Sequence, residues 1–571
     1  MLYDLHTPAG EGVTGMPWEV YPRPQMRRDS YLNLNSEWDF WLNGGAMPEG
    51  NGQKIRVPFC PESSLSGVGR HFPEGSVLCY RRGFRLPEGF CRGRMLLHVG
   101  AADQTADVYV NGQSVGHHEG GYESFTLDIT HALTEENTLE IRCVDDLRMQ
   151  EYPYGKQTMK RGGMWYTPVS GIWQTVWLES VPDTYIKKLH IENRGTSVTI
   201  STEPKLDGTV TVAGLGAYPL ENGAVTITPE APHLWSPEDP YLYEFTVEAG
   251  ADKVESYFAL RTLEIQKIGG YQRLCLNGKP YFFHGLLDQG YWPDGLFTPA
   301  SPQCYADDIL AMKRLGFNTL RKHIKVEPEE FYYQCDKLGM VVFQDMVNNG
   351  KYHYVRDTVL PTVSLSSQKL LNDKNFHKDE TQRNMFLSGM EATVRQLKNH
   401  PCIFYWTIFN EGWGQFDSDN VYEQFRKLDD TRWIDTTSGW FRRKNSDVDS
   451  RHVYFRKITQ KGDGEKPLVI SEFGGFSYKV EGHVFNGDKT YGYGDYDSLE
   501  AFGKAVADLY MDQVVPCVKN GLCAAIYTQV SDVEDEINGL RTYDRKVEKL
   551  TPERMLPVAK ALQAAAEAVP V

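Results

Sequence analysis

Ile403-Phe404-Tyr405-Trp406-Thr407-Ile408-Phe409-Asn410-Glu411-Gly412 and Pro467-Leu468-Val469-Ile470-Ser471-Glu472-Phe473-Gly474-Gly475 are two apolar runs that each reach a glutamate close to a glycine. Runs of β-branched, aromatic and aliphatic residues without polar alternation fit strands buried on both faces of a parallel sheet. A carboxylate at the C-terminal end of such a strand is placed for chemistry rather than for packing. One such glutamate could be a structural acid satisfied by a neighbouring arginine or amide. Two in the same setting, one preceded by Asn410, favour the paired carboxylates that glycosidic bond cleavage needs.

Outward from these runs, apolar strands alternate with helical stretches such as Cys304 to Leu315, Glu329 to Leu338 and Asp379 to Lys398. Strands are predicted at Tyr281–Leu287, Thr319–His323, Val341–Gln344, Ile403–Phe409, Trp433–Thr437, Arg451–Tyr454, Leu468–Ser471 and Ala524–Thr528. Eight βα repeats predict a (β/α)8 TIM barrel over residues 265–571, with Glu411 ending the fourth strand and Glu472 the seventh. Residues 1–182 read differently. Short alternating strands recur there, Asn111-Gly112 marks a tight hairpin, and helical periodicity is nearly absent, which predicts a jelly-roll β-sandwich. Residues 183–264 supply further short strands, among them Val198-Thr199-Ile200 and Tyr243 to Val247, and predict an immunoglobulin-like β-sandwich. The fold class is thus multidomain, β plus α/β.

The totals fit this division. A chain of 571 residues exceeds one compact core. A formal charge of −16 argues against a nucleic-acid or anionic-membrane partner. Aromatic residues make up 12%, which suits large β-rich cores and also sugar stacking. No apolar window is long enough to cross a membrane and no secretory signal is visible. The ten cysteines lack any C-x-x-C pair. Reduced thiols in a cytoplasmic protein are the expectation.

An ordered set of motifs runs the length of the chain. The first domain carries Asn111-Gly112, Gly116-His117-His118, Gly120-Gly121-Tyr122, Phe125, Asp128-Ile129 and Ser170-Gly171-Ile172-Trp173-Gln174-Thr175-Val176-Trp177-Leu178. The second carries Leu234-Trp235-Ser236-Pro237, Pro240-Tyr241-Leu242-Tyr243 and Leu260-Arg261-Thr262. The barrel carries Asn277-Gly278-Lys279-Pro280, Arg321, His323, Asn399-His400-Pro401, Asn410-Glu411 and Ser471-Glu472-Phe473-Gly474. This set resembles glycoside hydrolase family 2, the family of β-galactosidases, β-glucuronidases and β-mannosidases. The resemblance implies Glu411 as acid/base and Glu472 as nucleophile of a retaining exo-β-glycosidase, with Asn410 donating to the sugar 2-hydroxyl. It implies an arginine, Arg321, that orients the nucleophile, His323 near the sugar, and Asp103 reaching in from the first domain. Trp440, His452, Tyr454 and Gln529 lie at or beyond the ends of later strands and are candidates to line the pocket; for His452 a structural role is an equal alternative. The reaction needs no cofactor and no metal.

Two departures bear on the substrate. The family's His-Tyr-Pro reads His323-Ile324-Lys325 here, and the Asn-x-Lys pair by which its β-glucuronidases bind a uronate is missing from Asp535 to Arg545. Acidic residues in that segment disfavour a carboxylate, so a terminal β-galactoside is the first expectation. A β-glucuronide or β-galacturonide served by Lys325, Arg442 or Arg443 is the second. A transglycosylase shares every residue named, and a non-catalytic carbohydrate-binding protein is the alternative of another class. Two long connections, Met346 to about Asp379 and Gly474 to Tyr496, are expected to wall the sugar and aglycone subsites. The carbohydrate is the expected partner, and a homo-oligomer is left open.

Overall fold

The structure is a computed structural model that describes residues 2–44, 52–359 and 373–568. Its first layer pair is a four-stranded sheet, Tyr31–Asn33, Val176–Val181, Arg94–Val99 and Phe125–Asp128, over a six-stranded one running from Gln53–Val57 to Gln113–Glu119. Inward residues of both sheets, among them Trp38, Tyr80, Leu97, Val108, Ile141 and Leu178, form one buried core. Thr105–Val110 and Gln113–Glu119 are joined by Asn111 and Gly112, at φ +53° and +78°. Both central residues therefore take the left-handed conformation that a two-residue hairpin turn demands. The second unit packs three strands, Lys188–Arg194, Ser197–Glu203 and Ala224–Ile227, against four, Gly208–Val212, Gly216–Leu220, Tyr243–Ala249 and Asp252–Phe258.

The barrel strands are β1 Phe283–Asp288, β2 Thr319–Lys322, β3 Val341–Asp345, β4 Ile403–Asn410, β5 Trp433–Ser438, β6 Asp449–Val453, β7 Leu468–Gly474 and β8 Leu522–Thr528. All the ladders are parallel and link β5-β4-β3-β2-β1-β8-β7-β6 in that order. Between β5 and β6 side chains close the circle: Ser438 Oγ lies 3.5 Å from Ser450 Oγ and 2.9 Å from a ring nitrogen of His452. The predicted strands are all present, with shifted ends. Glu472 lies inside β7 rather than after it, because the β7 ladder to β6 continues through the pair His452–Glu472 to Phe473. β6 begins two residues before its expected start and stops at Val453, leaving Tyr454 just beyond it. The helices Gln303–Arg314, Glu329–Leu338 and Glu380–Leu397 lie where helical periodicity placed them. The last is capped by the Asp379 side chain, which accepts from the amide of Gln382.

The two sandwiches meet opposite ends of the barrel. Near the strand starts, Trp235 of the second unit donates to the carbonyl of Asp336 at 2.8 Å, and Asn399 accepts from the amide of Ile191 at 3.0 Å. His400 is wholly buried against Asp336 at 2.7 Å, which gives the Asn399-His400-Pro401 motif a joining role. At the C-terminal face the first sandwich lays its segment 151–167 over the barrel mouth. Tyr154 and Gly155 donate their amides to the carbonyl of Asn348, Tyr166 hydrogen-bonds Glu536, and Arg161 pairs with Asp535 at 3.1 Å.

Candidate active site

At that face Arg321 of β2 is the hub. It is fully buried, and each guanidinium nitrogen is committed: Nε donates to Asp345 Oδ1 at 2.9 Å, Nη1 to Glu472 Oε1 at 3.0 Å and to the carbonyl of Ser471 at 3.1 Å, Nη2 to Asn410 Oδ1 at 2.9 Å. A guanidinium can only donate, so this contact fixes the Asn410 amide with its oxygen inward and leaves its Nδ2 donor without a partner among the described residues. Asp345 also receives His323 Nδ1 at 2.7 Å. Next to Arg321 and His323, Asp345 stays below the usual carboxylate range in spite of burial.

Glu472 is held from its other side by the Tyr454 hydroxyl, 2.9 Å from Oε2, and that hydroxyl rests 2.8 Å from Thr528 at the end of β8. Glu411 follows β4 in the left-handed conformation, φ +52°, with glycines on the turn at 412 and 414. Non-glycine residues seldom hold this conformation, and where they do the surroundings impose it. Here the amide of Glu411 donates to the carbonyl of Ser438 at 3.0 Å, and a Cβ at Gly412 would come within 2.4 Å of the Phe441 ring. One carboxylate oxygen of Glu411, one of Glu472 and a ring nitrogen of His452 all lie within 4.8 Å of one another. Burial pushes the Glu411 carboxyl up, Lys156, His323 and Arg321 pull against this, and Asp357 adds to it.

His452 sits between the two glutamates. Its Nδ1 is 2.7 Å from Glu411 Oε1 and 3.4 Å from Glu472 Oε2, and Trp440 meets it edge-on at 5.3 Å. Burial lowers its pKa to about 4, so the imidazole is neutral near pH 7. Gln529 is fully buried and spends its amide on Asn538 Oδ1 at 2.8 Å and Glu536 at 3.4 Å. Asp103 is equally buried, and its hydrogen bond runs to Gln157 Nε2 at 3.1 Å rather than to either glutamate. The structure thus gathers Asn410, Arg321, His323, His452, Tyr454 and Trp440 around the pair, with Gln529 and Asp103 behind the walls.

The cations proposed for a uronate are occupied. Lys325 donates to the carbonyls of Gly290 and Phe297 and pairs with Glu327 at 2.9 Å. Arg442 pairs with Asp449, and Arg443 with Asp419 at 3.3 Å. The sequence reading missed a different cation. Lys156, from the sandwich, has no ion-pair partner among the described residues and lies 5.7 Å over the ring of Trp165. Trp165 in turn packs on Tyr352 at 5.1 Å and on Trp413 at 5.2 Å. Nothing local in Tyr154-Gly155-Lys156-Gln157 signals this position. Asp345 was also missed, although Val341-Val342-Phe343-Gln344-Asp345 repeats the pattern of an apolar run with an acidic tip. Of the two long connections, Gly474 to Tyr496 brings Tyr493 within 4.7 Å of Tyr454. In the other, residues 360–372 lie outside the described residues.

Comparison with known proteins places the three domains in one family. Residues 267–536 match the model of the glycosyl hydrolases family 2 TIM barrel domain, residues 71–182 that of its sugar binding domain, and residues 184–261 a third model of the same family. A β-galactosidase of Thermoanaerobacter pseudethanolicus is 24% identical over 71% of this chain and 54% of its own length. The human β-glucuronidase is 25% identical over 62% of this chain and 57% of its own. The chain therefore spans about half the length of the relatives it matches. A β-D-glucuronidase structure from Dictyoglomus thermophilum superposes with a TM-score of 0.71 at 19% identity, covering 96% of this chain and 99% of that one. A β-galacturonidase from Eisenbergiella tayi gives 0.65 at 18%, covering 97% and 98%. With its barrel and both sandwiches matched in order by the family's own models, the chain belongs to the glycosyl hydrolases family 2.

Proposed function

We propose that this protein is a retaining exo-β-glycosidase in which Glu472 attacks the anomeric carbon and Glu411 serves as acid and then as base. The observation that carries the reading is the closeness of the two carboxylates, an oxygen of each lying within 4.8 Å. Retaining enzymes hold their carboxyl groups about 5–5.5 Å apart, whereas inverting ones leave room for a water at roughly 6.5–9.5 Å. Their surroundings divide the roles. Arg321 donates to Oε1 of Glu472 and Tyr454 to Oε2, which fixes in place the carboxyl group a nucleophile must present. Burial favours the protonated form of Glu411, which the leaving aglycone oxygen needs. In the first step the C–O bond to the aglycone breaks as the Glu472–sugar bond forms, and the Glu411 proton passes to the leaving oxygen. In the second, Glu411 takes a proton from water, whose oxygen displaces Glu472. Asn410 Nδ2 is free to meet the 2-hydroxyl, where a hydrogen bond strengthens in the transition state.

For the glycone a terminal β-galactoside is the first reading. Its support is the acidic segment after β8, where Glu534 and Glu536 are buried behind the pocket wall and Asp535 consumes Arg161. A β-uronide is the second, favoured by Lys156, which has no ion-pair partner among the described residues, and the names of the relatives include both classes. All ten cysteines carry free thiols, nine of them buried, which supports a reducing compartment as the place of work. Turnover of a panel of 4-nitrophenyl β-glycosides tests the reading. The β-D-galactoside is expected to be cleaved fastest; a preference for the glucuronide or galacturonide that Lys156→Met abolishes would install the second reading. A panel left intact throughout would leave the carbohydrate-binding alternative.

A further inference from the structure

His452 is more tightly constrained than a pocket-lining side chain needs to be. Its ring lies flat on the backbone of Gly439, where an added Cβ would meet ring atoms at 2.6 Å, and residue 439 itself sits at φ +81°. Ser438 Oγ holds Nε2 at 2.9 Å, and Arg321 Nη1 reaches the same nitrogen at 3.5 Å. Both hydrogens of Nη1 go to Glu472 and the Ser471 carbonyl, so Ser438 is the nearer partner of Nε2 and the proton of the neutral ring is assigned from the other edge. Nδ1 faces Glu411 Oε1 at 2.7 Å and Glu472 Oε2 at 3.4 Å; an N–H there donates to Glu411 and is attracted by the Glu472 carboxylate, whereas a lone pair would be repelled by it.

We propose that His452 is a positioning residue that assigns the two oxygens of Glu411 their roles, Oε1 accepting the Nδ1–H and Oε2 alone carrying the catalytic proton. The proposal rests on the acid/base reading of Glu411. A carboxylic acid whose Oε1 accepts from an imidazole has its proton on the other oxygen, so the proton is aimed before substrate arrives. Oε2–H then protonates the aglycone oxygen as its bond to the sugar breaks, and Oε2 later accepts the proton of the attacking water. Throughout, His452 keeps its own proton and no electron pair moves through it. The donated N–H also favours the Glu411 carboxylate, in concert with Lys156 from the sandwich, Arg321 of β2 and His323 beyond it. Asp357 of the connection after β3 acts on Glu411 in the opposite sense, and Glu472 of β7 and Asp345 of β3 are the acids that face His452 itself.

The test compares His452→Leu, His452→Asn and His452→Gln on phenyl and 2,4-dinitrophenyl β-D-galactopyranosides, with Glu411→Ala as reference. Asparagine presents a donor close to the Nδ1 position, glutamine one close to Nε2. His452→Leu is expected to lower kcat/KM about 100-fold on the phenyl glycoside and less than about tenfold on the dinitrophenyl one, whose leaving group needs little protonation. The alkaline fall of its pH profile moves to higher pH, since a donor that favoured the Glu411 carboxylate is gone. His452→Asn returns both substrates to within about tenfold of the wild type and His452→Gln does not. Equal losses on the two substrates with the pH profile in place overturn the proposal, as does rescue by glutamine but not asparagine. If the leucine variant fails to fold, the asparagine and glutamine pair decides by itself. Glu411→Ala separates the two levels: with no leaving-group dependence there, the acid/base reading itself falls, whereas dependence there but not at position 452 sinks only the positioning role.

Discussion

Glu411 is where the electrostatics of the pocket converge. Burial raises its pKa, and Lys156 is the foremost of the charges that pull it back down. Glycosylation needs the protonated carboxyl, so kcat/KM on an aryl β-galactoside should fall as pH rises through the Glu411 pKa. Removing a nearby cation disfavours the carboxylate and raises that pKa further. Lys156→Met is therefore expected to move the alkaline limb to higher pH, and a limb that stays in place or moves down would show that Lys156 does not act on Glu411. The glutamates were legible because each interrupts an apolar run with a charge that packing alone would not place there. Lys156 was not, since its importance comes from a sandwich loop folded across the barrel mouth, and nothing short-range in the sequence records that contact.

Among elements, the connection after β7 packs against the tyrosine that holds Glu472. Tyr493 packs on Tyr454 at 4.7 Å and on Phe455 at 4.8 Å, and its hydroxyl lies 3.2 Å from that of Tyr491. Aromatic pairs of this kind contribute about 0.5–1.5 kcal/mol beyond the area they bury, up to roughly a tenfold effect. Tyr493→Ala should shift the ratios of kcat/KM across a panel of aryl aglycones by about that factor while circular dichroism stays unchanged. Constant ratios would assign this connection no share in the +1 subsite. The eight strands of the barrel were readable from apolar runs and their spacing, yet each has an end displaced by one to three residues. β7 runs on through Glu472 because its register with β6 pairs that residue with His452, a long-range match that periodicity does not carry. The closure between β5 and β6 was equally invisible, since it depends on the hydroxyls of Ser438 and Ser450 meeting in space. The Asn111-Gly112 hairpin was legible because its turn chemistry is local.

At the scale of the whole molecule, a buried charge network joins the two sandwiches. Arg28 donates to Glu179 at 3.1 Å and to Asp252 at 2.8 Å, and Arg23 reaches Glu179 at 3.0 Å. Glu179 is fully buried, and Arg23 and Arg28, with His98 Nε2 3.3 Å away, hold its pKa well below the usual 4.5 despite desolvation. Its folded pKa is depressed, so its contribution to stability is complete above the unfolded value and is lost as pH falls from there toward the folded one. Glu179→Gln leaves two arginines facing a neutral partner, and breaking a buried pair in this way costs about 3–5 kcal/mol. Urea unfolding should show that loss at pH 7 and a smaller difference from the wild type below about pH 4. A variant as stable as the wild type at pH 7 would mean that this network contributes little to joining the domains. Its two arginines lie more than 150 residues from either acid, so no motif announced it.

The central claim is that Glu411 and Glu472 cleave with retention, and the stereochemistry of the first-formed product tests it most directly. Proton NMR of the anomeric region, recorded within the first minutes of hydrolysis of 4-nitrophenyl β-D-galactopyranoside or of the uronide preferred in the panel, should show the β-hemiacetal before mutarotation brings in the α form. An α-hemiacetal appearing first would mean direct displacement by water across the pair, and the glycosyl-enzyme on Glu472 would have to be abandoned.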